Sequence, residues 1–261
     1  MKRQAQSAMR SASVLLLLTL IAGVSGCSTT ANEGTAGQPT SSVQTLEYYP
    51  ELVKGYQNSY PTKRVLVLLS VDAREFNDPT AAIHAPEQGN PAIGVVLDAS
   101  GSVTERLYAP PFLTVVQKAI EKSAEEAGMY ASESNEKSYS EVIKKNEDYV
   151  LESKVVLCWL KKQRGHSSSS RDLIWQTTAE FAIDATLYKP PFRVAYWQGH
   201  STAQFSDPPL TQPIGSADDD SAIYDEPGQV MSVALTRAVA GIFDRDDLRT
   251  LITQDRMSAP R

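Results

Sequence analysis

The sequence predicts an α+β protein: a two-layer sandwich, with a mostly antiparallel sheet and two amphipathic helices packed on one face. Three observations carry this. Segments of two-residue alternation, clearest over 172–188, predict strands with one wet face. Two segments, 112–127 and 226–243, repeat apolar residues at helical spacing. A sheet with one dry face and two helices with one apolar stripe each bury each other in two layers.

The elements follow in chain order. Residues 63–72, KRVLVLLSVD, are apolar on both faces and predict a central strand buried on both sides. The segment 73–91 carries Asn, Asp, Pro and Gly and reads as a loop. AIGVVLD, 92–98, is a second strand, with a turn at Ser100-Gly101. Tyr108-Ala109-Pro110-Pro111 opens the first helix, where proline is tolerated in the first turn. Phe112, Val116, Ala119, Ile120 and Ala124 share its apolar side, and Gly128 caps its C-terminus. A short turn or helix is expected over 140–146. Residues 148–162 read as a strand with Leu151, Ser153, Val155, Leu157 and Trp159 on one face. The 172–188 strand places Phe181, Ile183, Ala185 and Leu187 on one face and Glu180, Asp184 and Thr186 on the other. The Ser-rich stretch 165–170 joins these two as a hairpin. Pro190-Pro191 ends the second, and 192–205 completes a meander. A polar segment, 208–224, precedes the second helix, 226–243. Asp244 is the expected N-cap of a last short helix through Leu248, Leu251 and Ile252, and residues 255–261 are expected to fray.

The N-terminus has its own pattern. Lys2, Arg3 and Arg10 precede an apolar run from Val14 to about Val24. That run is shorter than the roughly 20 apolar residues a bilayer span needs. A basic segment, a short apolar segment and small residues form a secretory signal. Val24-Ser25-Gly26-Cys27 is similar to a bacterial lipobox: a branched apolar residue, two small residues and a cysteine. The organisation expected is a signal peptide over 1–26, cleavage between Gly26 and Cys27, a lipidated Cys27 with a flexible linker over 27–45, and one domain over 46–254. The linker 28–45 is rich in Ser, Thr and Gly and spans about 20–25 Å as a coil. In the lipobox pattern Cys27 carries diacylglycerol and an N-acyl chain, which hold a soluble body on a membrane face. No other cofactor is expected. Ser28 follows the cysteine. In enterobacterial lipoproteins aspartate there favours the inner membrane, so serine implies an outer-membrane, periplasmic-face address.

Formal charge is −6, and removing 1–26 takes away three basic residues and no acid. So acidic a body does not suggest nucleic-acid binding. Of the two cysteines, Cys27 is taken by lipid, leaving Cys158 without a disulfide partner. A lone thiol in an oxidising compartment is best kept buried. No Cys/His cluster has metal-ligand spacing, and no Walker or G-x-G-x-x-G motif appears.

Several residue groups are candidates for a site. Asp72 and Arg74 follow a buried strand and form a strand-end pair, structural or binding. Tyr188, Phe192, Tyr196 and Trp197 gather near the meander turn and suit either a partner surface or the core. Asp218-Asp219-Asp220 has oxygen ligands but no glycine-spaced calcium loop, so it reads as a solvated acidic loop. His84, His166 and His200 are isolated, and no G-x-S-x-G elbow positions a nucleophile for a hydrolase.

The lipobox, VLVLLSVDAR, AIGVV, VVQKAIEKSAEEAG, YVLESKVVL, AEFAIDATLYK and VMSVALTRAVAGIFDRDDLRTLI occur in an order that resembles the YajG-type family of outer-membrane lipoproteins. The resemblance covers roughly 60–252. It implies an α+β periplasmic body without enzyme activity and carries over no catalytic residue. The loops at 73–91 and 206–225 are longer than in that pattern and are candidate binding insertions. A related layout is that of the auxiliary lipoproteins of lipid-transporting ABC systems. Three functions are therefore expected to compete: a non-enzymatic binding or assembly module in the envelope, a lipid-transport accessory, and a hydrolase. The partners expected are the membrane through the anchor, an envelope protein or a second copy, and a lipid ligand under the transport reading.

Overall fold

The structure, a computed structural model, describes residues 40–53, 56, 60–74, 92–142, 146–166, 173–207 and 226–257. All belong to one compact unit, Gln38–Arg261. Its sheet has nine strands: β1 Thr40–Val43, β2 Arg64–Leu68, β3 Val71–Asp72, β4 Ala92–Leu97, β5 Val103–Tyr108, β6 Tyr130–Ser134, β7 Tyr149–His166, β8 Leu173–Tyr188 and β9 Ala195–Ser206. Three helices are α1 Phe112–Glu126, α2 Pro227–Phe243 and α3 Asp246–Met257.

Strand β7 organises the sheet. Along one edge it pairs antiparallel with β8 from Val150↔Tyr188 to His166↔Leu173, and β8 pairs antiparallel with β9. The other edge of β7 is shared in succession by three parallel strands: β2 at Tyr149–Leu151, β3 at Lys154–Val155 and β4 at Leu160–Gln163. Outside β2 lies β6, and outside β4 lie β5 and then β1. The sheet thus parts into two branches on one side of β7. Antiparallel pairing dominates by length, through β7, β8 and β9.

The helices occupy one face. Val116, Ile120 and Ala124 of α1 join Met231, Leu235 and Val239 of α2 in one core with Phe181 and Ile183 of β8. On the opposite face Leu66, Leu68 and Val150 form a second, small core under Tyr139, Val142 and Tyr188. This is why β2 is apolar on both sides, as its sequence implies. Gly128, at φ 99°, closes α1 in the left-handed region that glycine enters without a Cβ clash.

Four local expectations are corrected. The linker ends earlier than 45, because 40–43 form β1. Beyond it, 44–49 is pegged to α2: the Glu47 N–H donates to Ser232 Oγ (2.8 Å) and the Tyr49 N–H to Thr236 Oγ1 (3.1 Å). The 63–72 strand is broken at Leu69–Ser70 into β2 and β3. Strands β5 and β6 were not anticipated, since VTERLY and YASES bury only Leu107 and Ser134 between them. In β7 a bulge at Val156 separates the pairs Val155↔Ile183 and Leu157↔Ala182. One extra residue moves every later side chain to the other face. Cys158 and Leu160 therefore enter the core, while Leu157 and Trp159 face outward and are half-buried.

The C-terminus also differs. Asp244 caps the end of α2 by position, and α3 continues through 255 to Met257 where fraying was expected. Asp255 is held by the Tyr149 hydroxyl (2.6 Å), the Tyr196 hydroxyl (2.8 Å) and Lys189 Nζ (2.7 Å).

Candidate functional site

Cross-strand register builds the site. On the face away from the helices, β7, β8 and β9 align Lys154, Asp184 and His200 in one row. The next row is Glu152, Thr186 and Gln198. These are the polar positions of the alternating strands, whose other face is spent on the core. Together with the backbone at Ala185 and Gly199 they line a polar concavity of about 390 Å³.

Its charges are partly tied. His200 Nδ1 lies 2.6 Å from Asp184 Oδ1, with both side chains about half exposed. The Glu152 carboxylate accepts from the Tyr188 hydroxyl (3.1 Å) and from the Tyr139 N–H. Burial, then the charge and hydrogen bond of Glu152, push the Tyr188 hydroxyl above its ordinary value. Tyr188 stacks on Tyr139 at 4.7 Å, and both hold the Glu152 carboxylate by hydrogen bonds. Lys154 is exposed and is the groove's cation beside His200. The arrangement suits recognition of a polar surface through paired charge and amide groups. Among the described residues no group of three or more His, Cys, Asp or Glu could hold a metal ion.

The aromatic quartet does not form one surface. Tyr188 lies on the groove face. A bulge between Leu187 and Tyr188 makes Tyr196 the extra residue of β9, so Tyr196 and Trp197 both pack toward the helix side. Tyr196 stacks on buried Tyr149 at 6.0 Å and Trp197 is 7% exposed. Phe192 alone of the four stands out, at 64% exposure.

Asp72 and Arg74 lie where the two branches of the sheet part. Arg74 donates from Nε and Nη2 to the two Asp72 oxygens, each at 2.8 Å, and from Nη1 to the carbonyls of Ala92 (2.9 Å) and Cys158 (3.2 Å). Its guanidinium packs over the Phe112 ring at 4.9 Å. A planar fork can reach a carboxylate and two backbone carbonyls at once, which ammonium cannot. Burial opposes the Asp72 charge, but the hydrogen bonds and charge of Arg74 outweigh it and hold the carboxyl below its ordinary value. Cys158 is fully enclosed beside this pin, and burial pushes its thiol up to about 12.

The groove itself was not read from sequence as a site. Its signal was present as the wet face of 172–188, but only strand pairing brings Glu152 and Lys154 of β7 and Gln198 and His200 of β9 beside that face. Cys27 and the Gly26–Cys27 bond, His84, Asp218-Asp219-Asp220 and nearly all of the loops at 73–91 and 206–225 lie outside the described residues. The backbone of His166 ends β7, and its side chain lies outside the description as well.

No protein-family model matches the chain, and no curated protein matches it. Among solved structures it is similar to a DUF330-family protein of Xanthomonas campestris, at 13% identity and TM-score 0.45, covering 84% of this chain and 99% of that one. It is also similar to a Helicobacter pylori protein described as a neuraminyllactose-binding hemagglutinin homolog, at 12% identity and TM-score 0.41, covering 79% and 98%. A Caulobacter crescentus protein described as a lipoprotein aligns at 10% identity and TM-score 0.29, covering 60% and 90%. None of these likenesses says what the chain does.

Proposed function

We propose that this chain is a membrane-anchored bacterial lipoprotein that acts as a non-enzymatic binding or assembly module in the cell envelope. The observation that carries the reading is Val24-Ser25-Gly26-Cys27 behind a basic and then a short apolar segment. Ser28 favours the outer membrane and the periplasmic face, as the YajG-type resemblance does. No helix among the described residues is long and apolar enough to cross a membrane. The polar groove of β7–β9 supports binding over catalysis. Its His200–Asp184 pair is about half exposed, and its lining hydroxyl is that of Thr186, which has no described hydrogen bond to His200. Activated nucleophiles are held against their base in sheltered sites. The Cys158 thiol is sealed in the core.

Cys27→Ser tests the anchor. The precursor is expected to lose metabolic labelling by fatty acid and to move from the detergent phase to the aqueous phase. A variant that still partitions with detergent as the wild type does would sink the reading. The partner is read by crosslinking the lipidated protein in native membranes and identifying captured proteins and lipids by mass spectrometry. Transporter subunits or stoichiometric lipid would support the second reading, an accessory of an ABC-type lipid transporter. That reading is favoured by the layout of strand, glycine-closed helix, meander and helix.

A further inference from the structure

Strand β9 is an edge of the sheet: among the described residues it pairs with β8 alone. A free edge offers its backbone to any other strand, and proteins guard it with brevity, charge or proline. The edge strand β1 has only 4 residues, and β6 carries Glu133. Strand β9 has 12 residues, AYWQGHSTAQFS, with no Lys, Arg, Asp, Glu or Pro among them.

The register says which backbone groups are free. Just past the strand, the Asp207 N–H donates to the Thr177 carbonyl at 2.9 Å. Antiparallel bonding alternates along a strand. Gly199, Ser201, Ala203 and Phe205 therefore bond β8, while Gln198, His200, Thr202, Gln204 and Ser206 turn their N–H and C=O outward. The His200 carbonyl agrees, since it accepts from Arg245 Nη1 on the outer side at 3.4 Å. Among the described residues no other hydrogen bond reaches these outward backbone groups. All five side chains are exposed.

We propose that β9 pairs antiparallel with β9 of a second copy of this chain, about a two-fold axis at Thr202. Full overlap of the outward positions sets that centre. Thr202 then faces Thr202, His200 faces Gln204 of the copy and Gln198 faces its Ser206. Each opposed pair exchanges two backbone bonds, about ten in all. The long Arg245 contact, from a side chain 39% exposed, gives way to a backbone N–H. Two features select a copy over an unrelated strand. The first is charge. Arg237 lies over Phe205 near one end of the edge and has no ion pair, and Asp207 at that end is already engaged. Near the other end, the turn after α2 carries Asp244, Asp246 and Asp247 against Arg245 and Arg249, and Asp244 is 71% exposed. Antiparallel pairing brings each end against its opposite twice, which is the self-complementarity of a two-fold interface. The second is spacing. Helix α2 straddles β8 and β9, with Gly241 against Ser201. Its axis thus stands roughly half a strand spacing inside β9, and the two α2 helices would run about 10 Å apart near the axis. That is the distance of packed helices. Half-buried Ala240 and Gly241, on the stretch of α2 beside the axis, leave room for it.

The test uses residues 28–261, which contain both cores and the 44–49 segment in full. Analytical ultracentrifugation over a concentration series should show a monomer–dimer equilibrium. Thr202→Lys sets two like charges face to face and should weaken the dimer by about tenfold or more. Thr202 is exposed, so the circular dichroism spectrum should stay that of the wild type. Mixing Thr202→Lys with Thr202→Glu should restore association, which a damaged strand would not do. Arg237→Glu should weaken the dimer severalfold. Register is read by disulfide trapping, with Cys158 enclosed and silent. Opposed Cα atoms about 5.5 Å apart suit a bridge, so Thr202→Cys should crosslink to itself on mild oxidation. Gln204→Cys, four positions out of register with itself and so about 13 Å apart, should not. A monomer at every concentration, a dimer that Thr202→Lys leaves intact, or a Lys–Glu mixture that stays monomeric would overturn the proposal. So would a crosslink in Gln204→Cys but not in Thr202→Cys. Because the tested chain lacks Cys27, the result is independent of the lipoprotein reading.

Discussion

Arg74 places a charge at the point where β3 and β4 share the edge of β7. It satisfies the Asp72 carboxylate and two backbone carbonyls, and its side chain is 3% exposed. Truncating one partner of such a buried pair typically costs about 3 kcal/mol, because the other charge stays behind unpaired. Arg74→Met should lower the unfolding free energy at pH 7 by about that amount, read by urea titration. Arg74→Lys should recover little of it. The pH dependence has a definite sign. Asp72 is held below its unfolded value, so its contribution is full above that value, about 4, and is lost as pH falls through the folded value. Arg74→Met should flatten this acid limb, and an unchanged slope would count against the pin. Cys158 gives a second check at this scale. Its thiol is enclosed and pushed up to about 12 by burial. In residues 28–261, where it is the sole thiol, it should react with a disulfide reagent at the rate of unfolding. Fast native labelling would contradict the core placement.

At the level of elements, the long strand β7 does two jobs that its sequence alone does not separate. Its first half follows the register read from Leu151, Ser153 and Val155, and its second half is shifted by the Val156 bulge. The bulge falls where the neighbour on the other edge changes from β3 to β4. Close approach of β4 is set by Gly94, where an added Cβ would meet the Leu160 carbonyl oxygen and Cβ. Backbone cannot yield as the end of a flexible side chain can. Gly94→Ala should therefore destabilise by about 1–3 kcal/mol and loosen the β1–β5–β4 branch. Hydrogen exchange should report faster opening in β4 and β5 than in β8, and uniform exchange would show that the branch is not held this way.

The molecule as a whole is closed by its C-terminal helix. Asp255 ties α3 to β7 through Tyr149, to β9 through Tyr196 and to the β8–β9 turn through Lys189. Burial opposes its charge, but Lys189 and the two tyrosines outweigh this and hold the carboxyl low. Asp255→Ala leaves the buried Tyr149 hydroxyl without this acceptor and should cost about 2 kcal/mol, seen as a lower thermal midpoint. A midpoint equal to wild type would show that the helix end frays after all. The same closure fixes which faces are free. Helices cover one face of the meander, and the other keeps the Lys154–Asp184–His200 row open.

By itself the sequence determined the class of the body, both core helices, the meander and the mixed burial of β2. These follow from local periodicity, and a stripe of apolar residues must be covered wherever it falls. It also carried the Cys27 pattern, whose chemistry is read residue by residue. What the tertiary structure decided is register and partnership. The bulges at Val156 and Tyr196 each change face assignments that a two-residue period cannot foresee, and they sent Trp159 outward and Trp197 inward. The polar strands β1, β5 and β6 exist because neighbouring strands offer them a hydrogen-bonding edge, not because their own side chains demand burial. A groove built across three strands has no contiguous signature, since its rows join residues 154, 184 and 200 that only pairing brings side by side.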